Sequence, residues 1–289
     1  MSGFLNILLA GGGATIQPAP ELPDLSAITL TYQGLFGQDA GETELDELVG
    51  LDFSPDGLKM WIHQDFHSAN PQIVAYDLNP AWDITSAIFN SASAKTNNYS
   101  LADRFQDFQW NNDGTSIYFT SFNISKISRI DVATPYTPDW SAIPTVDQEF
   151  VTSGSLQVGL HMFNDGSQYF IQSSNGVIRR YTMSTPWDLT TSVFQTSGVV
   201  SGQDVVVSKN GLRVWTTGPA SPEKISQWDI TTPFDMSEFS GPADVTFTLQ
   251  NAASFTNAKV LFVPIGRNEV YVGWYGTLPA ITFIEKYTW

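Results

Sequence analysis

FNDGSQYFIQSSNGVIRRYTMSTPWDLTTSVFQTSG, residues Phe163 to Gly198, decides how the rest of the chain is read. It opens on a hairpin turn, Asn164-Asp165-Gly166, and runs into an aromatic strand around Tyr169-Phe170-Ile171. A second turn, Ser174-Asn175-Gly176, leads to a strand ending at Tyr181-Thr182. A Pro186-Trp187-Asp188 corner then feeds a fourth strand. Asn-Gly and Asp-Gly suit such turns because a tight hairpin needs positive φ, which glycine adopts without steric cost.

The pattern returns along the chain at a period of roughly 50 residues, the spacing of one unit in a radial array of small sheets. Its first turn recurs as Ser54-Pro55-Asp56-Gly57, Asn112-Asp113-Gly114, Lys209-Asn210-Gly211 and, more weakly, Pro264-Ile265-Gly266-Arg267. After each turn comes an apolar strand: Met60-Trp61-Ile62, Ile117-Tyr118-Phe119, Val214-Trp215 and Val270-Tyr271-Val272. Third strands end at Tyr76-Asp77, Ile130-Asp131, Trp228-Asp229 and Tyr287-Thr288.

Fourth strands follow corners at Pro80-Ala81-Trp82-Asp83, Pro138-Asp139-Trp140, Pro186-Trp187-Asp188 and Pro233-Phe234-Asp235. The last unit ends at Trp289 without one. At the front, Pro23-Asp24-Leu25-Ser26-Ala27-Ile28 resembles Trp82-Asp83-Ile84-Thr85-Ser86-Ala87-Ile88. A strand from the N-terminus therefore completes the last sheet, and closure removes the unpaired edges that an open row would leave. The expectation is an all-β, five-bladed β-propeller over residues 21–289. Its closing strand is placed at about 24–34 and its blades at about 45–95, 100–152, 155–200, 202–250 and 255–289. A sandwich or solenoid is the alternative, though neither requires the first strand to resemble the absent last one. The repeat resembles the degenerate WD-like and YVTN-like propeller families. Their strict signatures are missing, and Trp228-Asp229 stands once where a WD dipeptide would.

Composition narrows the function classes. Charged residues reach 15% and aromatics 13%, with a net charge of −16. Nucleic acid is excluded as a partner, because phosphate binding needs clustered Lys and Arg. The absence of cysteine removes disulfides, thiolate metal sites and thiol nucleophiles together.

Residues 1–20, MSGFLNILLAGGGATIQPAP, carry no charged side chain, and the first basic residue is Lys59. The apolar run is too short for the roughly 20 residues of a membrane span, and a secretory leader needs a basic start. Termini often fray. An exposed Phe4, Leu5, Ile7, Leu8 and Leu9 on a free molecule would be an aggregation liability, so the segment is expected to dock into a partner.

Strand order puts the first turns and the Pro-aromatic corners on one side of the ring. That side is uniform and reads as architecture, with Trp82, Trp140, Trp187 and Phe234 packing between blades. The other side varies, as binding loops do. His63, Phe66, His67, Phe122, Trp274 and Tyr275 are its candidate ligand residues, suited to a glycan or a protein contact. The same rings could instead cap the core at the loop bases. His63 and His67 lack a third ligand in sequence, so no metal is expected, and no cofactor motif is present. His161 lies on an inner strand and reads as a hydrogen-bonded core histidine.

Asp52, Asp107 and Asp204 fall on inner strands and point at the mouth of the central channel. Asp107 and Asp204 hold equivalent places, where blades 3 and 5 carry Gly159 and Val260. Paired carboxylates are what a glycosidase uses. No glutamate stands at an inner-strand start, so hydrogen bonding to the channel backbone, a water or a cation is the expected role.

The layout, with its glycine-hinged apolar leader and acidic ring, resembles propeller proteins mounted on tailed-bacteriophage particles. The resemblance implies a non-enzymatic component of the virion surface: a tail or head fibre, a decoration protein or a host-attachment module. Residues 1–20 would dock on other virion proteins, in a symmetric assembly, and the loops would meet a host-surface glycan or protein. The alternative is an extracellular glycan-acting propeller enzyme using the three aspartates.

Overall fold

A computed structural model of the chain describes residues 20–37, 48–64, 72–92, 105–137, 146–153, 156–218, 223–250, 256–275 and 282–289. The first strand, β1, is Thr31–Gly37. Blade 1 follows with β2 (Leu48–Phe53), β3 (Lys59–Gln64), β4 (Gln72–Asp77) and β5 (Ile88–Ala92). Blade 2 holds β6 (Phe105–Trp110), β7 (Ser116–Ser121), β8 (Lys126–Asp131) and β9 (Gln148–Val151). Blade 3 holds β10 (Gln157–Met162), β11 (Gln168–Ser173), β12 (Val177–Met183) and β13 (Ser192–Val199). Blade 4 holds β14 (Asp204–Val207), β15 (Arg213–Gly218), β16 (Lys224–Asp229) and β17 (Val245–Thr248). Blade 5 is β18 (Thr256–Phe262), β19 (Glu269–Tyr275) and β20 (Thr282–Thr288), completed by β1.

These twenty strands form five four-stranded antiparallel sheets. Side chains alternate across each strand, so every blade has two apolar faces to bury. Each of the five apolar clusters is shared by two adjacent blades. Trp61 of blade 1, for example, packs on Trp110 of blade 2, and Tyr271 of blade 5 packs on Phe53 of blade 1. The inner strands meet in the order β2, β6, β10, β14, β18 and back to β2. The fold is a five-bladed β-propeller.

The ring closes through β1, which lies antiparallel to β20 with Thr31 opposite Thr288 and Tyr32 opposite Tyr287. Pairing begins at Thr31, beyond the start of the expected 24–34 segment, and the reason is local. Asp24 caps a turn by accepting from Ser26 N–H, as Asp83, Asp188 and Asp235 cap the short 3-10 turns before the outer strands of blades 1, 3 and 4. The front of the chain therefore copies a whole corner, and the strand starts only after it. No helix among the described residues is long and apolar enough to cross a membrane.

The corners hold an unusual conformation. Trp82, Tyr136, Trp187 and Phe234 all have φ between 57° and 67°. Each ring lies over the turn glycine of its own blade: Gly57, Gly114, Gly166 and Gly211. In blade 2 this residue is Tyr136, from Thr134-Pro135-Tyr136, and not the expected Trp140, which lies outside the described residues. The Thr-Pro-aromatic order of Thr185-Pro186-Trp187 and Thr232-Pro233-Phe234 would have identified it.

A β-carbon at Gly166 would stand 2.5 Å from the Trp187 ring. Gly241 also has positive φ, with no described atom within 4 Å of an added β-carbon. Gly166→Ala is expected to cost about 2–4 kcal/mol, from left-handed strain plus overpacking, and Gly241→Ala about 1–2 kcal/mol from strain alone. Urea unfolding of the two variants checks this, and equal losses would show that the corner ring does not press on its glycine.

Candidate functional site

Each inner strand pairs with its blade on one side only, so its other edge faces the channel. Backbone amides along that edge need partners, and the channel side chains supply them. Two register positions do the work. The first is occupied by Gly50, Asp107, Gly159, Asp204 and Val260 in blade order, and the second by Asp52, Gln109, His161, Val206 and Phe262.

Asp52 accepts from Phe53 N–H at 2.7 Å and from Trp110 N–H of blade 2 at 2.8 Å. Asp107 accepts from Phe108 N–H at 2.8 Å and from Leu160 N–H of blade 3 at 2.7 Å. Asp204 accepts from Val205 N–H and from Leu261 N–H of blade 5, both at 2.7 Å. Gln109 does the same with an amide, accepting from Met162 N–H and donating to Met162 C=O. Each of these side chains fastens its blade to the next.

Burial sets the electrostatics. All three aspartates are buried, and burial is the first cause acting on each. Burial pushes Asp52 up to about 7, against two backbone amides that pull the other way. Asp204 is raised by the same cause. Asp107 rises well above the ordinary range, first by burial and then by the neighbouring charge of Asp204. Burial pulls His161 down to about 3, so its ring is neutral.

The same residues line a cavity of about 560 Å³. Asp107 and Asp204 stand at the first register position and Asp52 and His161 at the second, with Trp110, Tyr136 and Phe262 among the walls. Its rim includes Ser54, Pro55, Asn112, Asn164, Pro264 and Ile265, all from the first turns. The cavity thus opens on the uniform face that the sequence assigned to architecture. Pro20 also lines the cavity, held by Lys209 N–H on its carbonyl.

The expected ligand face fares differently. His63 is buried in β3, contacts the carbonyl of Gln106 through Nδ1 and packs edge-on to Phe108 and Phe119. Trp274 is fully buried, its indole N–H donating to Glu285 at 2.9 Å. Both belong to the core, because β3 and β19 run further than the loop assignment allowed. Phe122 does lie in the β7–β8 turn, half-buried. Phe66, His67, the Tyr275 side chain and the leader residues Phe4, Leu5, Ile7, Leu8 and Leu9 lie outside the described residues. His161 is buried in β10 and packs edge-on to Phe163, the core position read from its strand.

No protein-family model matches the chain, and neither does any curated protein. Solved structures do match. The hydrazine synthase of Kuenenia stuttgartiensis is similar over 84% of this chain and 60% of its own, at 12% identity and a TM-score of 0.43. The Cps50 (Swd1) β-propeller domain of Myceliophteria thermophila is similar over 83% and 82%, at 10% identity and a TM-score of 0.44. A candidate 6-phosphogluconolactonase from Bacteroides uniformis is similar over 81% and 82%, at 10% identity and a TM-score of 0.49. Likeness at these identities is one of fold and carries nothing on activity.

The raised carboxyls make a signed prediction. A group whose folded pKa lies above its unfolded value of 3.8 keeps its proton longer in the fold. Its contribution is greatest below pH 4 and is lost as pH rises towards 7, by ~1.4 kcal/mol per pH unit for each such group. Asp77, Asp113 and Asp188, whose pKa values are lowered by hydrogen bonds from neighbouring side chains, lose their contribution only on the acid side of 3.8. Unfolding free energy should therefore be higher at pH 5 than at pH 7.5, and Asp52→Asn should flatten that slope by one group's share. A slope of the opposite sign in urea titrations would show these carboxyls to be ionised throughout.

Proposed function

We propose that this protein is a non-enzymatic structural and attachment component of a tailed-bacteriophage virion: a rigid ring docked through residues 1–20, its loops turned outward. The observation that carries the non-enzymatic part is the use of the channel carboxylates. Both oxygens of Asp52, Asp107 and Asp204 accept backbone amides. A general acid or base must be free to exchange its proton with substrate. These groups instead hold neighbouring blades together.

The virion setting is supported by the sequence. Twenty charge-free residues with an apolar run precede a ring of net charge −16. A peptide of that kind gains from leaving water against another protein, while the acidic ring stays solvated. Pro20, the first described residue, lines the cavity and is tied to the blade 4 turn through Lys209 N–H. Phe122, in the β7–β8 turn, lies on the opposite face, where a host-surface glycan or protein would dock. Repeated copies on a particle would follow its rotational symmetry.

A second reading has one observation in its favour: carboxyls with raised pKa values around a 560 Å³ cavity, the usual signature of a working site. It would make the protein a propeller hydrolase or lyase acting on glycans or a lactone.

Deletion of residues 1–19, stopping short of the Pro20 carbonyl that holds Lys209, tests the anchor. The truncated chain should fold with an unchanged melting temperature and be missing from purified particles. Truncated protein incorporated at wild-type level would overturn the anchor role. Turnover of glycans or lactones that disappears in Asp204→Asn would replace the structural reading with the enzymatic one.

A further inference from the structure

Asn-Gly occurs twice in the chain, at Asn175-Gly176 and at Asn210-Gly211. Both pairs sit in hairpin turns of the same form. Gly176 N–H donates to the Ser173 carbonyl at 2.9 Å, and Gly211 N–H to the Ser208 carbonyl at 2.8 Å. The two glycines have φ of 81° and 70°. Both asparagines are exposed, so water reaches each of them.

The two differ in how the side chain is held. Asn210 Oδ1 accepts from Ser208 Oγ at 2.7 Å and from Leu212 N–H at 3.0 Å. Asp56, Asp113 and Asp165 occupy the same turn position in blades 1 to 3. Each accepts from the N–H two residues on, at 3.0, 3.0 and 2.9 Å. A side chain fixed in this way is turned away from the glycine that follows it. Asn175 is the exception, because among the described residues no hydrogen bond holds its side chain.

We propose that Asn175 is a site of spontaneous modification, at which the side-chain amide is lost to the Gly176 backbone nitrogen. That nitrogen attacks Asn175 Cγ, the Cγ–Nδ2 bond breaks, and ammonia leaves with the proton of the Gly176 N–H. A five-membered succinimide remains. Water then opens the ring at one of its two carbonyls, giving aspartate or isoaspartate. One water is consumed, one ammonium is released, and the chain gains one negative charge. Nothing is oxidised or reduced. Glycine permits the attack because no β-carbon shields its nitrogen. At Asn210 the same attack must first break two side-chain bonds, besides the turn bond that both sites share.

The product alters backbone as well as charge. Isoaspartate routes the main chain through Cβ and adds one carbon between residues 175 and 176. Gly176 has little room for the shift. Its carbonyl accepts from Val200 N–H at 2.7 Å, and a β-carbon on it would stand 2.9 Å from the Val200 carbonyl oxygen. The modification therefore loosens the tie between this turn and the link that leads to blade 4. The β11–β12 turn shares its side of the ring with the β7–β8 turn, so the new charge falls on the face that carries Phe122. None of this rests on the virion reading, and either can fail alone.

Peptide mapping by mass spectrometry of the full-length protein held at pH 8.5 is the test, in native buffer and in guanidinium chloride. In the folded protein Asn175 should convert about ten-fold faster than Asn210, the effect of two holding bonds of modest strength. Isoaspartate should appear at residue 175 beside aspartate. In denaturant, where neither side chain is held, the two sites should convert at similar rates. Equal rates in the fold, faster conversion at Asn210, or an intact Asn175 in the fold while the denatured chain converts would each overturn the proposal. A gap of the same size in denaturant would also overturn it, by assigning the difference to sequence rather than to the turn.

Discussion

A closed ring of blades turns one edge of every inner strand towards its own axis, and that edge must be satisfied without a sixth sheet to pair with. Water alone could serve a wide channel, but here the channel is narrow enough for side chains of one blade to reach the backbone of the next. Asp52, Asp107, Gln109 and Asp204 take that role towards Trp110, Leu160, Met162 and Leu261. Carboxylates are strong acceptors for backbone amides, which is why they recur at positions where a sheet interior would otherwise be apolar. Their cost is the burial of a carboxyl, which raises all three above the ordinary carboxylate range.

Space follows from the same requirement. A carboxyl that leans towards the next blade crowds the strand before it. Gly50 precedes Asp107, and a β-carbon there would meet Phe108 at 2.6 Å and Asp107 Oδ1 at 3.2 Å. Gly159 precedes Asp204 in the same manner. Further out, a second set of bonds joins blades through the corners. Tyr118 and Arg129 of blade 2 donate to the Trp187 carbonyl of blade 3, and Tyr271 and Lys286 of blade 5 donate to the Trp82 carbonyl of blade 1. Left-handed backbone at the corner thus has two uses, a ring laid on the turn glycine and a carbonyl offered to the neighbour.

Turn chemistry made the architecture legible. Asp-Gly and Asn-Gly at a fixed period, with one strand missing at the end and supplied at the front, sufficed for blade number and closure. ATPYTPDW holds two proline-aromatic pairs, so the sequence points to Trp140 as the corner ring, and only the glycine beneath the ring identifies Tyr136. His63 and Trp274 read as loop residues in sequence because a strand end carries no mark when its residues are polar or aromatic. The three channel aspartates were legible by register alone. Their partners were not, because each bond reaches the backbone of another blade more than fifty residues away.

Cavity chemistry and fold chemistry are therefore hard to separate in this ring. A carboxyl that holds two amides in fixed directions cannot swing to follow a substrate, and catalysis by proton transfer gains little from it. The side chains that line the cavity are thus the same ones that join blade to blade.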